Sequence, residues 1–397
     1  MSGKNVLISG ASVAGPALAY WLGHYGFRPT VVEVAPAPRE GGYAVDFRGE
    51  AHLTVLERMG VLEQIRARQT GGMPSRFVDE RGRVVLELPP ELASGAVEIR
   101  RSDLSTILRE HSANTTEYVF GDSISALTDT GSDTDGVHVV FESGTERTFD
   151  LVIGADGLHS NVRRLAFGPE ERFVSHLGYY VAGWELPTPS WLGTTALAHN
   201  TPGKYAAAAI DHLDPSTAGS YVLFKSPALE YSRRDVDQQK RLIAEHLAGM
   251  GWRVPEIVDT LPAAEQLYFD SISRADVPNW STGRIALIGD AACGATLGGM
   301  GTGTAIVAAY VLAGELARAD HRTAFTRYED LLRDFATECQ KGGDRTSKLL
   351  APGSAFAIWL RNKSLGSKLL MKLMLKAGEE ISSNVSLPDY RYESAAR

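Results

Sequence analysis

The chain has 397 residues, 22% of them charged, and a formal net charge of −8. That length exceeds what one hydrophobic core usually fills, so one large domain or two closely joined ones are expected. The acidic balance, with no basic cluster ahead of the C-terminal part, argues against a nucleic-acid partner. Cys293 and Cys339 are the two cysteines. Without a CxxC pair they build neither a structural zinc site nor a disulfide framework; two free thiols are the expected state and one bridge the alternative.

The first element is the apolar run Asn5–Ser9, a buried parallel strand, followed by the turn Gly10-Ala-Ser-Val-Ala-Gly15 and a helix from Pro16 to Gly23. Gly10 permits the tight turn and Gly15 the close packing of helix on strand, which leaves amides free at the positive helix end for a pyrophosphate. Ser12 replaces the middle glycine of the usual fingerprint. The next strand, Pro29–Glu33, ends on an acid placed for an adenosine ribose 2′-hydroxyl. The apolar stretch from Val6 to Phe27 lacks a basic leader and contains His24 and the glycine turn, so a cytoplasmic protein without a membrane partner is expected.

Pro36 to Gly49 is too rich in glycine and charge for core, and makes a candidate ligand loop carrying Arg39, Gly41, Gly42, Asp46 and Arg48. An amphipathic helix follows over Glu50–Met59. Ser75 to Ile99 alternates like antiparallel strands around a turn at Glu80–Gly82, and Ser102-Asp103 then reads as the cap of a helix from Leu104 to Glu110. Strands near Tyr118–Phe120, Val137–Phe141 and Leu151–Ile153 lead to Ala155-Asp-Gly-Leu-His-Ser-Asn-Val-Arg163, where Asp156 stands at a strand end and Ser160 caps the next helix.

From Glu171 to Arg274 the pattern changes to long alternating segments rich in aromatic residues, with one helix from Asp235 to Gly249. Within it Tyr180, Trp184, Tyr205, Phe224 and Tyr268 are the candidates to line an aromatic cavity. His176, His199 and His212 have no fixed place, so no general base is assigned. Gly283–Gly289 then restores a buried parallel strand that delivers Asp290, and the glycine run Leu297–Gly303 opens a helix over Thr304–Leu316. The end of the chain, Tyr328 to Gly378, is helical. Its lysines, Lys363, Lys368, Lys372 and Lys376, are expected in water beside an apolar face packed on the domain, in preference to a membrane-surface helix.

The fold class is therefore α/β, with a Rossmann-like nucleotide domain made of residues 1–74, 101–170 and 276–345. An interleaved α+β substrate domain with a mostly antiparallel sheet takes 75–100 and 171–275, and helices fill 346–397.

The ordered set GxSxxG, Glu33, Arg101-x-Asp-Leu, Asp156-Gly-x-x-Ser160-x-x-Arg163 and Gly289-Asp290-Ala-Ala resembles the FAD-dependent single-component aromatic hydroxylases, which include p-hydroxybenzoate hydroxylase and the tetracycline-inactivating monooxygenases. The resemblance spans roughly residues 3 to 345. It implies that Gly10, Ser12, Val13, Ala14, Gly15, Glu33, Val34, Arg101, Asp156, Gly157, Arg163, Asp290, Gly299, Met300 and Gly301 hold FAD. By the same likeness Asp46 and Met300 neighbour the flavin, Arg39 meets NADPH, and Asp156 and Arg163 contact both FAD and the nicotinamide cofactor.

The implied activity is an FAD-dependent monooxygenase with NADPH or NADH as transient reductant and O2 as co-substrate. It hydroxylates an aromatic, polycyclic or polyketide-like small molecule through a C4a-hydroperoxyflavin, in a monomer or homodimer, with few strictly catalytic protein groups. A flavin-dependent dehydrogenase or reductase on the same scaffold, or a non-enzymatic nucleotide-binding protein, is the alternative. Relatives continue Gly-Asp-Ala-Ala with His or Tyr and a proline; here Cys293 and Thr296 stand in those places.

Overall fold

The computed structural model describes residues 3–38, 44–90, 95–131, 136–294, 301–383 and 385–390, without the side chains of 342–344 and 377–383. Arg39, Gly41, Gly42, Thr296, Gly299 and Met300 lie outside the described residues.

The apolar runs that read as buried strands assemble into one sheet. Its order is Ser281–Thr282, Ile285–Leu287, Leu151–Gly154, Asn5–Ser9, Arg28–Glu33 and Glu117–Phe120. All neighbours pair parallel except Ser281–Thr282, which forms a short antiparallel edge. Parallel strands need cover on both faces. Helix Ala14–His24 packs against helix Gly301–Arg318, which is buried almost all round from Gly303 to Leu316. A helix apolar on every side belongs in a core, and its one buried acid, Glu315, accepts a hydrogen bond from Tyr390 Oη at 2.7 Å.

A second sheet of seven strands runs in the order Leu267–Ala275, Val174–Pro187, Thr217–Lys225, Lys204–Ile210, Ala196–Thr201, Ser75–Val78 and Val84–Leu88. Ala196–Thr201 and Ser75–Val78 pair parallel; the other neighbours are antiparallel. Side chains alternate between the two faces. One face, with Tyr180, Ala182, Trp184, Leu186 and Phe224, is covered by the helices Val236–Leu247 and Val254–Val258. The other carries Tyr179, Val181, Tyr205 and Leu223, and meets Ala351, Leu365 and Met371 from the C-terminal part of the chain.

Two small sheets join these layers. Ala44–Phe47 pairs antiparallel with Val97–Arg100, which sets Asp46 opposite Glu98. Ile124–Asp129, Val137–Phe141 and Glu146–Phe149 form a three-stranded meander, of which the sequence pattern revealed only the middle strand. The outer two are polar on alternate positions and half exposed, so they carry little apolar signal. The helix expected from Leu104 begins at Arg101 and ends at Ser112. Ser102 and Asp103 thus sit inside its first turn, and no side chain caps it. The expected cap Ser160 does accept from Arg163 N, and Asp235, read only as the start of its helix, caps it by accepting from Gln238 N.

Candidate functional site

The turn after the first strand is as tight as its glycines require. Gly10 has φ +107°, and a Cβ there would lie 2.5 Å from the Ala155 carbonyl oxygen; a Cβ on Gly15 would lie 1.9 Å from the Gly10 carbonyl oxygen. Neither position admits a side chain. Val13 and Ala14 are buried where the helix starts, so the backbone from Gly10 to Ser12 makes the exposed wall. Ser12, which stands where the fingerprint has glycine, accepts a hydrogen bond from Arg101 Nε at 3.1 Å. The hydroxyl thereby anchors an exposed guanidinium beside free amides, which suits a pyrophosphate.

Glu33 closes the other side of this turn. Its carboxylate accepts from Ala11 N at 2.9 Å and Ala35 N at 3.1 Å, and Val34 beside it is 60% exposed on the cavity rim. Two of the acid's lone pairs are thus engaged and others remain for ribose hydroxyls.

The second strand end presents Asp156. Its carboxylate accepts from Ser9 Oγ at 3.2 Å, Val162 N at 3.0 Å and Ser160 Oγ. Burial raises its pKa, and these hydrogen bonds oppose the rise. Gly157 follows with φ +80° and open space where a Cβ would point. Arg163, in contrast, is fully buried. It donates to Ala291 O at 2.9 Å and to Leu158 O, with Glu170 3.7 Å away, so it ties the second strand end to the third and faces away from the cavity.

The third strand end delivers Asp290, reached through Gly289 at φ +59°. Burial raises its pKa and Arg101 opposes the rise. Asp290, Cys293, Gly301, Thr304 and Cys339 surround a separate void of about 10 Å³. Both cysteines are free; burial pushes the Cys293 thiol up strongly and that of Cys339 to about 11. Neither is a thiolate at neutral pH, so neither is a nucleophile.

The first two strand ends, Glu33 and Arg101 border one cavity of about 1100 Å³ that runs from Glu33 and Val34, past Ser12 and Arg101, to the seven-stranded sheet, whereas Asp290 is not among its described lining residues. Of the five expected substrate contacts, Trp184 and Tyr268 border it. Trp184 nevertheless sends its indole Nε1 to Thr260 Oγ1 in the outer core. Tyr180 and Phe224 stack on each other at 5.7 Å on the helix-covered face, where Tyr180 Oη accepts from Leu229 N. Tyr205 packs against Phe77 in the core of the opposite face. These three do not reach the cavity.

Its far wall comes instead from Gly183, Ala209, Gly219 and Tyr221, with Glu98, Arg100, Asp211 and His212 at the polar end. Arg100 and Asp211 form an ion pair, and Glu98 accepts from Thr70 Oγ1 at 2.7 Å. Asp46, opposite Glu98 in the strand pair, is ion-paired with Arg48; Ala44 and Glu98 line the cavity there and Asp46 does not. Of the three unplaced histidines, His212 is in the cavity; His176 binds Ser226 O and His199 binds Val78 O.

His159, inside the Asp-Gly signature, also borders the cavity and was missed. Its Nδ1 lies 2.9 Å from Glu170 Oε1 and its Nε2 3.4 Å from Asp270 Oδ1, with Arg233 alongside. The histidine thus links the nucleotide-side helix region to strand Leu267–Ala275.

The cradle that glycine alone permits, the acid at the second strand end and the long groove between two sheets are the features of a site for an extended dinucleotide. The profile of the FAD binding domain family matches residues 4–346, and the chain belongs to that family, the group A flavin monooxygenases. It is 35% identical over 392 residues to a flavin-dependent monooxygenase of Legionella longbeachae, covering 97% of this chain and 98% of that one. An uncharacterized Mycobacterium tuberculosis protein is 39% identical over 354 residues, covering 85% and 92%. Among solved structures, the tetracycline destructase Tet(55) superposes with a TM-score of 0.84 at 34% identity, over 98% of this chain and 100% of that one. The protein is an FAD-dependent monooxygenase.

Proposed function

We propose that this monooxygenase uses NADPH or NADH and O2 to hydroxylate a large, polycyclic, polyketide-like aromatic molecule. The observation that carries the reading is the far end of the cavity. Small residues, Gly183, Ala209 and Gly219, leave room there for a flat ring system, with Tyr221 and Tyr268 at its edges. Among the described lining residues the only guanidinium at that end is Arg100, already paired with Asp211, so a small benzoate finds no free cation. The likeness to tetracycline destructases, at 30% and 34% identity, supports the same size and class of substrate.

FAD fits the residues present. The Gly10–Ser12 amides and Arg101 would hold its pyrophosphate, Glu33 its adenosine ribose, and Asp156 and Asp290 the ribityl and flavin side. When bound and reduced, it supplies the electrons that split O2, one oxygen atom entering the substrate and the other leaving as water. The protein's share is orientation and exclusion of water: the sheet wall positions the ring, and the His159 cluster holds the two sides of the groove together.

The test is aerobic NADPH oxidation by the purified flavoprotein against a panel of polycyclic phenols and small benzoates. A polycyclic phenol should stimulate oxidation and gain one oxygen atom by mass. Equal turnover without oxygen would assign a dehydrogenase or reductase instead, and preference for the benzoates would refute the substrate class.

A further inference from the structure

The last two helices of the described residues present an apolar, cationic surface. Ala355–Leu365 seats Leu365, and Lys368–Ser383 seats Met371, in the same core as Phe77, Leu86 and Leu88 of the seven-stranded sheet. Both helices are thus anchored to one side, and their outer faces stay exposed. On the first, Phe356 (69% exposed), Trp359 (53%), Leu360 and Lys363 recur at helical spacing. Phe356 stacks on Trp359 at 5.8 Å, and the Lys363 ammonium lies 5.0 Å over the Trp359 ring. On the second, Leu369 (71%), Leu370 and Leu373 (55%) are exposed beside Lys368 and Lys372. The sequence led us to expect this helix's apolar face to be packed. The packing uses Met371 and, in part, Met374 and Leu375, and leaves three leucines outside.

Charge selects what would cover them. From Arg345 to Lys376 the chain holds seven basic residues, of which Arg361 is buried against Phe77, and no acidic one, in a protein of net charge −8. Leucine and aromatic side chains flanked by lysines suit the headgroup boundary of an anionic bilayer, apolar groups entering it and ammonium groups meeting lipid phosphates. A second copy of the chain is a poorer fit. A two-fold contact through this face would set Lys363, Lys368 and Lys372 near their own copies. Among the described residues no helix is long and apolar enough to cross a membrane, so the contact would be interfacial.

We propose that helices Ala355–Leu365 and Lys368–Ser383 dock the protein reversibly on an anionic phospholipid surface. The test is flotation of the full-length, FAD-loaded protein with vesicles of phosphatidylcholine alone or mixed with phosphatidylglycerol. Binding is expected with the mixed vesicles only, and it should fall as salt rises. Each lysine at such a surface is worth about fivefold in partition, so K363E/K368E/K372E should bind on the order of a hundredfold more weakly. W359S/L369S/L373S, which leaves the charge unchanged, should weaken binding as well. The substituted side chains are exposed, so flavin content and melting midpoint should match the parent and separate lost docking from lost folding. No flotation with either vesicle, or equal flotation of the lysine variant, would overturn the proposal. So would a parent dimer that W359S/L369S/L373S converts to a monomer with vesicle binding absent in both.

Discussion

Arg163 allows the resemblance and the geometry to be tested against each other. By resemblance its guanidinium reaches the cofactors; in the fold it is fully buried and bridges Leu158 O and Ala291 O, so Arg163→Leu is the informative change. Burial lowers the guanidinium pKa, Glu170 and Asp156 oppose that, and the group stays a cation. Leucine keeps much of the bulk but leaves two carbonyls without donors, at about 1–3 kcal/mol each. It also strips a buried partner from Glu170, while removal of a desolvated charge returns part of the loss. A net destabilisation of about 4 kcal/mol follows from these terms. With an unfolding entropy of about 2.1 cal/mol/K per residue, that lowers the melting midpoint of a chain this long by about 5 °C. Calorimetry together with release of flavin fluorescence reads the effect, and KM for NADPH should change less than about twofold by the same structural logic. An unchanged midpoint with KM for NADPH raised about tenfold would refute the structural role and restore the cofactor contact.

Gly15→Val should abolish FAD retention, because its Cβ would stand 1.9 Å from the Gly10 carbonyl oxygen; a yellow purified variant would contradict the cradle. Gly219→Leu should behave in the opposite way. A Cβ there meets nothing within 4 Å, so the side chain enters the cavity without strain on the strand. Flavin content should be normal, and kcat/KM for any polycyclic phenol that stimulates the parent should fall on the order of tenfold or more. The His159 cluster predicts a pH effect. Burial would lower the imidazole pKa, but the hydrogen bonds to Asp270 and Glu170 outweigh it and raise it, with Arg233 opposing. A raised histidine pKa stabilises the fold below the unfolded value of about 6.5, and that contribution is lost as pH rises through the folded value. The melting midpoint of His159→Gln should therefore lie closest to the parent's at alkaline pH and furthest below it in mild acid; parallel pH profiles would show that the cluster does not couple the two sides.

How much was legible follows from where the constraints lie. The strand-end signatures could be read because their chemistry is local. A turn that excludes Cβ atoms at Gly10 and Gly15, and acids carried at strand ends at Glu33, Asp156 and Asp290, are properties of a few consecutive residues. Arg163 belongs to the same motif, yet its direction depends on Ala291, distant in sequence, and no local pattern reports that.

The cavity wall beside the sheet was not legible for a different reason, one that strand parity exposes. Tyr180, Ala182, Trp184 and Leu186 occupy one parity of Val174–Pro187, and Tyr180 pairs directly with Phe224. Large aromatic side chains on that face fill the space beneath a covering helix. The other parity carries Gly183 and Glu185, and Glu185 pairs directly with Gly219. Where a wide ligand is to lie on a sheet, the volume that side chains would occupy must be left vacant. Choosing Tyr180, Trp184 and Phe224 for their size therefore selects the helix-packed face, and two glycines of matching parity in neighbouring strands are the better sign of the cavity wall.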